Sequence, residues 1–270
     1  MVLSSARRAA MVAVSAAMAL AFSAACAGAT PGEEPPAAGT RSAPDTSGVV
    51  HSSPASPAPQ PFSPTPRPAV DDRARALGFV DVRTAVPDAV VDLRYATPRN
   101  FVGERLYPAN ARCLVHDSLV PGLRTAAENL RARGETLVFW DCYRPHSVQQ
   151  RMFEKVPDPA WVAAPGPYST SHESGRSVDV TLAARNPNCP VHRRVGPGLC
   201  LVDMGTDFDS FTPNATAYAT QGVSASAQAA RARLRKAMAA GGLEVYPGEW
   251  WHFDGPGADV RRPIIDVPLA

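Results

Sequence analysis

Residues 27 to about 70 repeat proline, alanine, serine and threonine, as in Pro54-Ala55-Ser56-Pro57-Ala58-Pro59 and Pro64-Thr65-Pro66-Arg67-Pro68, and this stretch limits how much of the chain can fold. Too little apolar surface is available there to offset the entropy of ordering the backbone, and the prolines favour extended conformations. A disordered spacer over 27–70 is the expectation, with His51 a bystander inside it. The 270-residue chain then has residues 71–270 for one domain with one ordinary core.

Ahead of the spacer, Arg7 and Arg8 precede the apolar run Ala9 to Ala21, and Ser23-Ala24-Ala25 precedes Cys26. Residues 1–26 thus read as an export signal similar to a bacterial lipoprotein signal, with Ser23 where leucine is common. Cleavage before Cys26 and lipid attachment there would leave the protein on the outer side of the cell membrane. Secretion without lipid is the alternative. The net charge of +2, with both signs interspersed and no basic block outside the N-terminus, gives no reason to expect nucleic acid. A small-molecule partner fits better, and no protein partner is implied.

With Cys26 lipidated or removed, Cys113, Cys142, Cys189 and Cys200 remain, an even number suited to disulfides in an exported chain. Three pairings are open. Cys189 with Cys200, closing a Pro/Gly-rich loop, and Cys113 with Cys142 are favoured. The lack of any C-x-x-C pair argues against a cysteine zinc site.

From Asp71 onward, apolar and polar segments alternate between turn residues. Ala89–Tyr95, Thr136–Trp140, Ser177–Leu182 and Leu243–Tyr246 read as strands. Helical spacing occurs at Leu123, Ala126, Ala127 and Leu130 before Gly134, over Ala229–Ala240 before Gly241 and Gly242, and after Pro145 through Val148, Met152 and Phe153. No strict βαβ alternation or internal repeat is present. The expected class is α+β, a mainly antiparallel sheet with flanking helices.

The chemistry concentrates in Ser171-His172-Glu173-Ser174-Gly175-Arg176-Ser177-Val178-Asp179 and Glu249-Trp250-Trp251-His252. Two imidazoles and a carboxylate, His172, His252 and Asp179, suit one Zn²⁺ per chain with a position left for water, and Glu249 is placed to take that water's proton. Each of these residues alone would more often be structural. Glu249 and His252 cannot share a face of a flat strand, so a bulge or a turn must separate them. Trp250 and Trp251 are core or wall residues, and His116, His146 and His192 stand outside the set. Arg144 follows an apolar strand. It either forms a salt bridge with Asp141 or donates to the oxyanion formed when an amide carbonyl is attacked.

These stretches resemble the VanX-type D-alanyl-D-alanine dipeptidases, zinc enzymes of the wider D,D-peptidase and hedgehog-like group. The matching residues are Asp92-Leu93-Arg94-Tyr95-Ala96-Thr97 with Asn100-Phe101 and Gly103, Trp140-Asp141 with Tyr143-Arg144-Pro145, and Ser171-His172 with Gly175 and Asp179. Met204-Gly205 with Phe208-Asp209, and Glu249-Trp250-Trp251-His252, follow in family order. The resemblance implies a hedgehog/D,D-peptidase-like domain over 71–270, zinc held by His172, Asp179 and His252, Glu249 as general base and Arg144 as oxyanion donor. It also implies substrate contacts at Tyr95, Thr170 and Asp209, with Asp209 suited to a free ammonium.

The sequence departs from that pattern in four ways. Thr170 stands where the family often has serine, Cys142 replaces a glycine, and residues 186–201 are longer. If bridged, the cysteines would brace two loops near the site. The export signal is the fourth departure, because the resistance-type enzymes act in the cytoplasm, so cell-wall turnover or dipeptide use outside the membrane is the expected role. D,D-carboxypeptidase action on muropeptides and a catalytically silent zinc-stabilised binding module are the alternatives.

Overall fold

The computed structural model describes residues 69–270. The export signal, Cys26, His51 and almost all of the expected spacer lie outside the described residues. Among the described residues, no helix is long and apolar enough to cross a membrane.

The chain begins with a short helix, α1 (Asp72–Ala76), whose first turn is closed by Asp71 accepting from the backbone N–H groups of Arg73 and Ala74. β1 (Phe79–Asp81) pairs antiparallel with β3 (Leu114–His116) in a separate two-stranded ribbon. The main sheet holds β2 (Val90–Val91), β4 (Glu135–Asp141), β5 (Ser177–Arg185), β8 (His252–Asp254) and β7 (Glu244–Val245), in that order, with β6 (Leu199–Leu201) paired to the far end of β5. Only β2 with β4 is parallel. The α+β class with a mainly antiparallel sheet is therefore what the chain forms.

β5 is the spine of the sheet. It is buried without interruption from Ser177 to Ala183, as a strand covered on both faces must be. One cover begins with α2 (Val120–Arg131), which carries Pro121 in its first turn and buries Leu123, Ala126, Ala127 and Leu130 on a single stripe. Truncating Leu123, fully enclosed, to alanine would cost about 2–5 kcal/mol. Helix α4 (Ala225–Ala240), capped by Ser224, packs on α2 and on β7. The two helices approach so closely that a Cβ on Gly122 would lie 2.3 Å from the carbonyl oxygen of Gly241. Helix α3 (His146–Lys155) follows Pro145 as expected.

Two irregularities aim side chains at the site. The strand expected over 89–95 ends at Val91, and Arg94–Ala96 forms a tight turn with Ala96 N–H donating to the Leu93 carbonyl, which takes Tyr95 out of the sheet. In β4, Phe139 faces Val180 but Asp141 faces Asp179, so Trp140 is an extra, bulged residue. A bulge reverses which face the following residues present, and here it sets Asp141 directly beside Asp179.

Candidate metal centre

Three segments meet at one point. His172 lies in a helical turn, Ser171–Ser174, that ends at Gly175 in the left-handed region (φ +66°), where a Cβ would lie 2.3 Å from the Phe79 ring. Asp179 is the third residue of β5, and His252, the first of β8, sits opposite it in register. Asp141, Asp179 and His252 thus form one row across three strands.

His172 Nε2, His252 Nδ1 and Asp179 Oδ1 make a triangle with edges of 3.0, 3.0 and 3.1 Å. The outer ring nitrogens decide what this triangle can hold. His172 Nδ1 donates to the Cys142 carbonyl at 2.8 Å, and His252 Nε2 donates to Asp254 Oδ1 at 3.1 Å. Both inner nitrogens therefore present lone pairs toward a carboxylate oxygen, in a pocket where none of the three residues is more than 9% exposed. Three acceptors this close repel unless a cation lies among them. Donors on a tetrahedral Zn²⁺ with bonds of ~2.0 Å stand ~3.3 Å apart, so the triangle needs only a few tenths of an ångström of opening. Outer-nitrogen partners of this kind are the usual support of metal-binding histidines. The residues fit zinc. Without a metal a proton takes that place: burial pulls the His252 pKa down, but Asp179 and Asp254 outweigh it and push it up to about 10.

Glu249 is not in the triangle. Pro247 and Gly248 turn the chain between β7 and β8, Glu249 N–H donates to the Tyr246 carbonyl, and the carboxylate comes to 3.9 Å from His252 Nδ1. The required separation of Glu249 from His252 is thus a turn. Burial in the cavity wall, with Asp179 adding to it, raises the Glu249 pKa above the usual carboxylate range against the opposing pull of His252.

Arg144 forms the salt bridge to Asp141 that is one of the two alternatives the sequence leaves. Its Nε and Nη2 donate to Asp141 Oδ2 at 2.9 and 2.7 Å, and Nη1 donates to Gln149 Oε1 at 2.7 Å. Nη2 also comes within 3.8 Å of Asp179 Oδ2, and the side chain lines the cavity. The salt bridge is present, and it leaves the cation facing the site.

The cavity, about 490 Å³, is lined by Tyr95, Arg144, Thr170, His172, Asp179, Asp209, Glu249 and His252, among others, so every site residue read from the sequence borders it. The Tyr95 hydroxyl donates to Asp209 Oδ2 at 2.9 Å. Burial, reinforced by Asp179 and Glu249, raises the Asp209 pKa well above the usual value. Ser171 and Asp209 are the two non-glycine residues with positive φ, 45° and 54°, among the described residues, and both lie at the cavity. Next to Asp209 the wall is aromatic: Phe211 packs against Phe101 and Trp161 with ring centroids 5.1 and 5.6 Å apart.

Several contributors escape a reading of the sequence. Gln149 holds Arg144 and donates to the Ala163 carbonyl at 2.6 Å. His146, placed outside the constellation from sequence, pairs with Glu173 at 2.5 Å, and Glu173 lines the cavity. Asp254 could have been found, since residues two apart on a strand share a face and His252 is its neighbour at that spacing. The long-range contacts of Gln149 and His146 leave no such local signal. Both favoured disulfides, Cys113–Cys142 and Cys189–Cys200, are present. Only the first reaches the site; Cys200 faces Ala184, five residues along β5 from Asp179, or ~16 Å.

The Peptidase_M15 family, described as D-ala-D-ala dipeptidase, matches residues 75–270. A D-alanyl-D-alanine dipeptidase of Escherichia coli (strain K12) is 31% identical over 180 residues, covering 67% of this chain and 86% of the relative. Another from Enterococcus faecalis (strain ATCC 700802 / V583) is 28% identical, covering 60% of this chain and 83% of its own length. Among solved structures, a mutant vancomycin resistance D,D-pentapeptidase VanY in complex with Zn(II) aligns with a TM-score of 0.33 and 16% identity, covering 57% of this chain and 84% of that one. By the extent of the family match and the 31% identity to the Escherichia coli dipeptidase, the chain belongs to the D-Ala-D-Ala dipeptidases of the peptidase M15 family.

Proposed function

We propose that this protein hydrolyses D-alanyl-D-alanine to two D-alanines on the outer side of the cell membrane, with one zinc ion held by His172, Asp179 and His252. The observation that carries the reading is the triangle of inward-facing acceptors with a non-ligand carboxylate, Glu249, beside it. When bound there, zinc supplies a Lewis acid that polarises the amide carbonyl and acidifies water.

The remaining steps belong to the chain. Glu249 takes the proton of the attacking water and delivers it to the leaving amine, for which a raised carboxyl pKa is the right tuning. Arg144, braced by Asp141 and Gln149, turns its remaining N–H donors toward the oxygen that becomes negative. Asp209, held by Tyr95, receives the substrate ammonium, and the Thr170 hydroxyl takes the other end. The aromatic wall of Phe101, Phe211 and Trp161 beside Asp209 favours a substrate that ends there, a dipeptide over a longer muropeptide.

Glu249 and Arg144 are dispensable for holding a metal, so their presence favours an enzyme over a silent binding module. The export signal read over residues 1–26 supports a place outside the membrane, lipid-anchored at Cys26, in cell-wall turnover or dipeptide use. The test offers zinc-replete protein D-Ala-D-Ala and a muropeptide ending in D-Ala-D-Ala. Release of D-alanine from the dipeptide supports the proposal. Release from the muropeptide alone transfers the protein to carboxypeptidase chemistry, and release from neither overturns the catalytic reading.

A further inference from the structure

We infer that the Cys113–Cys142 disulfide is a positioning device for the metal site, acting through the backbone of residue 142. The bridge joins the residue before β3 to the residue after β4, 29 positions apart in sequence, and both half-cystines are almost fully buried. Residue 142 has two duties at the site. Its carbonyl accepts from His172 Nδ1 at 2.8 Å, which fixes the tautomer and aims Nε2 into the triangle. Its N–H donates to Asp141 Oδ1 at 2.9 Å, the carboxylate that grips Arg144.

Residue 142 also lies where the chain leaves the sheet. β4 ends at Asp141, just after the Trp140 bulge, and α3 does not begin until His146. Across that gap the backbone is held by Tyr143 N–H donating to the Leu114 carbonyl, by Arg144 N–H donating to the His172 carbonyl, and by the disulfide. The disulfide is the only covalent one of these. Its other end is anchored, since the Cys113 carbonyl accepts from Val82 N–H at 2.9 Å and β3 follows directly. A shift of residue 142 therefore moves the support of one zinc-facing histidine and of the arginine together. Residues that orient a ligand from behind typically change metal affinity by ~10- to 100-fold when lost. Cys189–Cys200 provides an internal control, being a disulfide in the same chain with no contact to the site.

This inference rests on zinc occupying the triangle, and the experiment separates the two. Zinc affinity is measured by chelator competition on the parent, on Cys113→Val/Cys142→Ala and on Cys189→Ala/Cys200→Ala, together with thermal midpoints, visible spectra of the Co²⁺-loaded proteins, and kcat and KM. The apolar pair fills the buried space without leaving unpartnered hydroxyls there. The expected result for Cys113→Val/Cys142→Ala is zinc affinity weaker by about tenfold or more, an altered Co²⁺ spectrum, and a loss in kcat exceeding the change in KM. Cys189→Ala/Cys200→Ala should lower the midpoint with zinc affinity and the Co²⁺ spectrum unchanged.

If that first variant does not fold, Cys113→Ala/Cys142→Ser gives the same readouts. A folded variant lacking the Cys113–Cys142 bridge with the parent's zinc affinity and Co²⁺ spectrum overturns the positioning role. A parent that binds no zinc overturns the metal reading itself.

Discussion

Replacing Arg144 by lysine tests how much of the catalysis depends on the guanidinium plane. Of its five N–H donors, two go to Asp141 Oδ2 and one to Gln149 Oε1, which leaves two, one each on Nη1 and Nη2. Nη2, 3.8 Å from Asp179 Oδ2, borders the place where the proposed mechanism puts the amide oxygen that becomes negative. A lysine ammonium is a single point and cannot grip Asp141 while also reaching that place. Losing one oxyanion donor costs ~2.7–4 kcal/mol of transition-state stabilisation, so kcat should fall by about 10²- to 10³-fold with KM changing far less.

The fold also loses. Asp141 is fully buried, and exchanging two charge-assisted hydrogen bonds for one costs roughly 2 kcal/mol. For a domain of about 200 residues that lowers the thermal midpoint by roughly 4–8 °C. From the sequence, a drop in the midpoint would point to a merely structural arginine. The structure places the salt bridge and the cavity-facing donors in one side chain, so the midpoint alone decides nothing. The deciding quantity is kcat per folded, zinc-loaded molecule, measured well below the variant's midpoint. A value within about threefold of the parent's would refute the oxyanion role, whatever the midpoint does.

Three further outcomes are expected. Elemental analysis should find one zinc per chain in the parent and little in His172→Ala or His252→Ala, because two ligands cannot replace three; full occupancy in both variants would remove the metal centre. Glu249→Gln should keep zinc and fold while kcat falls by about 10²- to 10⁴-fold, and a nearly unchanged rate would place the base elsewhere. Asp209 has a folded pKa raised by burial, so its stabilising contribution is complete below the unfolded value of ~3.9 and is lost as pH rises through the folded value. Metal-free Asp209→Asn should therefore gain on the parent in denaturation midpoint as pH rises from about 4, and a pH-independent difference would show that Asp209 is not held protonated.

Much of the site could be read from sequence because its parts are local. His172 and Asp179 lie seven residues apart across a turn-to-strand junction, Glu249 and His252 three apart, and the requirement that something bend the chain between them follows from strand periodicity alone. The long elements β4, β5, α2 and α4 carry strong patterns for the same reason. What could not be read depends on partners distant in sequence. β8 and β6 are three residues each and become strands by pairing, β6 with β5 and β8 with both β5 and β7, and β1 exists because β3 does. The Trp140 bulge leaves no mark, since an apolar run such as Leu137-Val138-Phe139-Trp140 looks the same with or without a register shift. Gln149 reads only as a polar residue of an amphipathic helix until Arg144 arrives beside it.

The bulge has an energetic consequence that ties these parts together. It places two carboxylates, Asp141 and Asp179, directly opposite each other on neighbouring strands, both almost wholly buried, an arrangement in which like charges destabilise a sheet. Glu249 and Asp209 bring two more carboxyl groups to the same region, and burial, reinforced by the neighbouring carboxylates, raises the pKa of both. Arg144, lying between Asp141 and Asp179, is the permanent cation in direct contact with this group. One positive charge cannot balance four carboxylates, so without a further cation the site must keep protons on Asp209, Glu249 or His252. In the proposed mechanism a dication in the triangle would relieve that deficit and free Glu249 to accept a proton. The acidic row that makes the metal-free sheet costly is thus the same feature that would favour a cation in the triangle and, with it, the protonation state that the proposed hydrolysis requires.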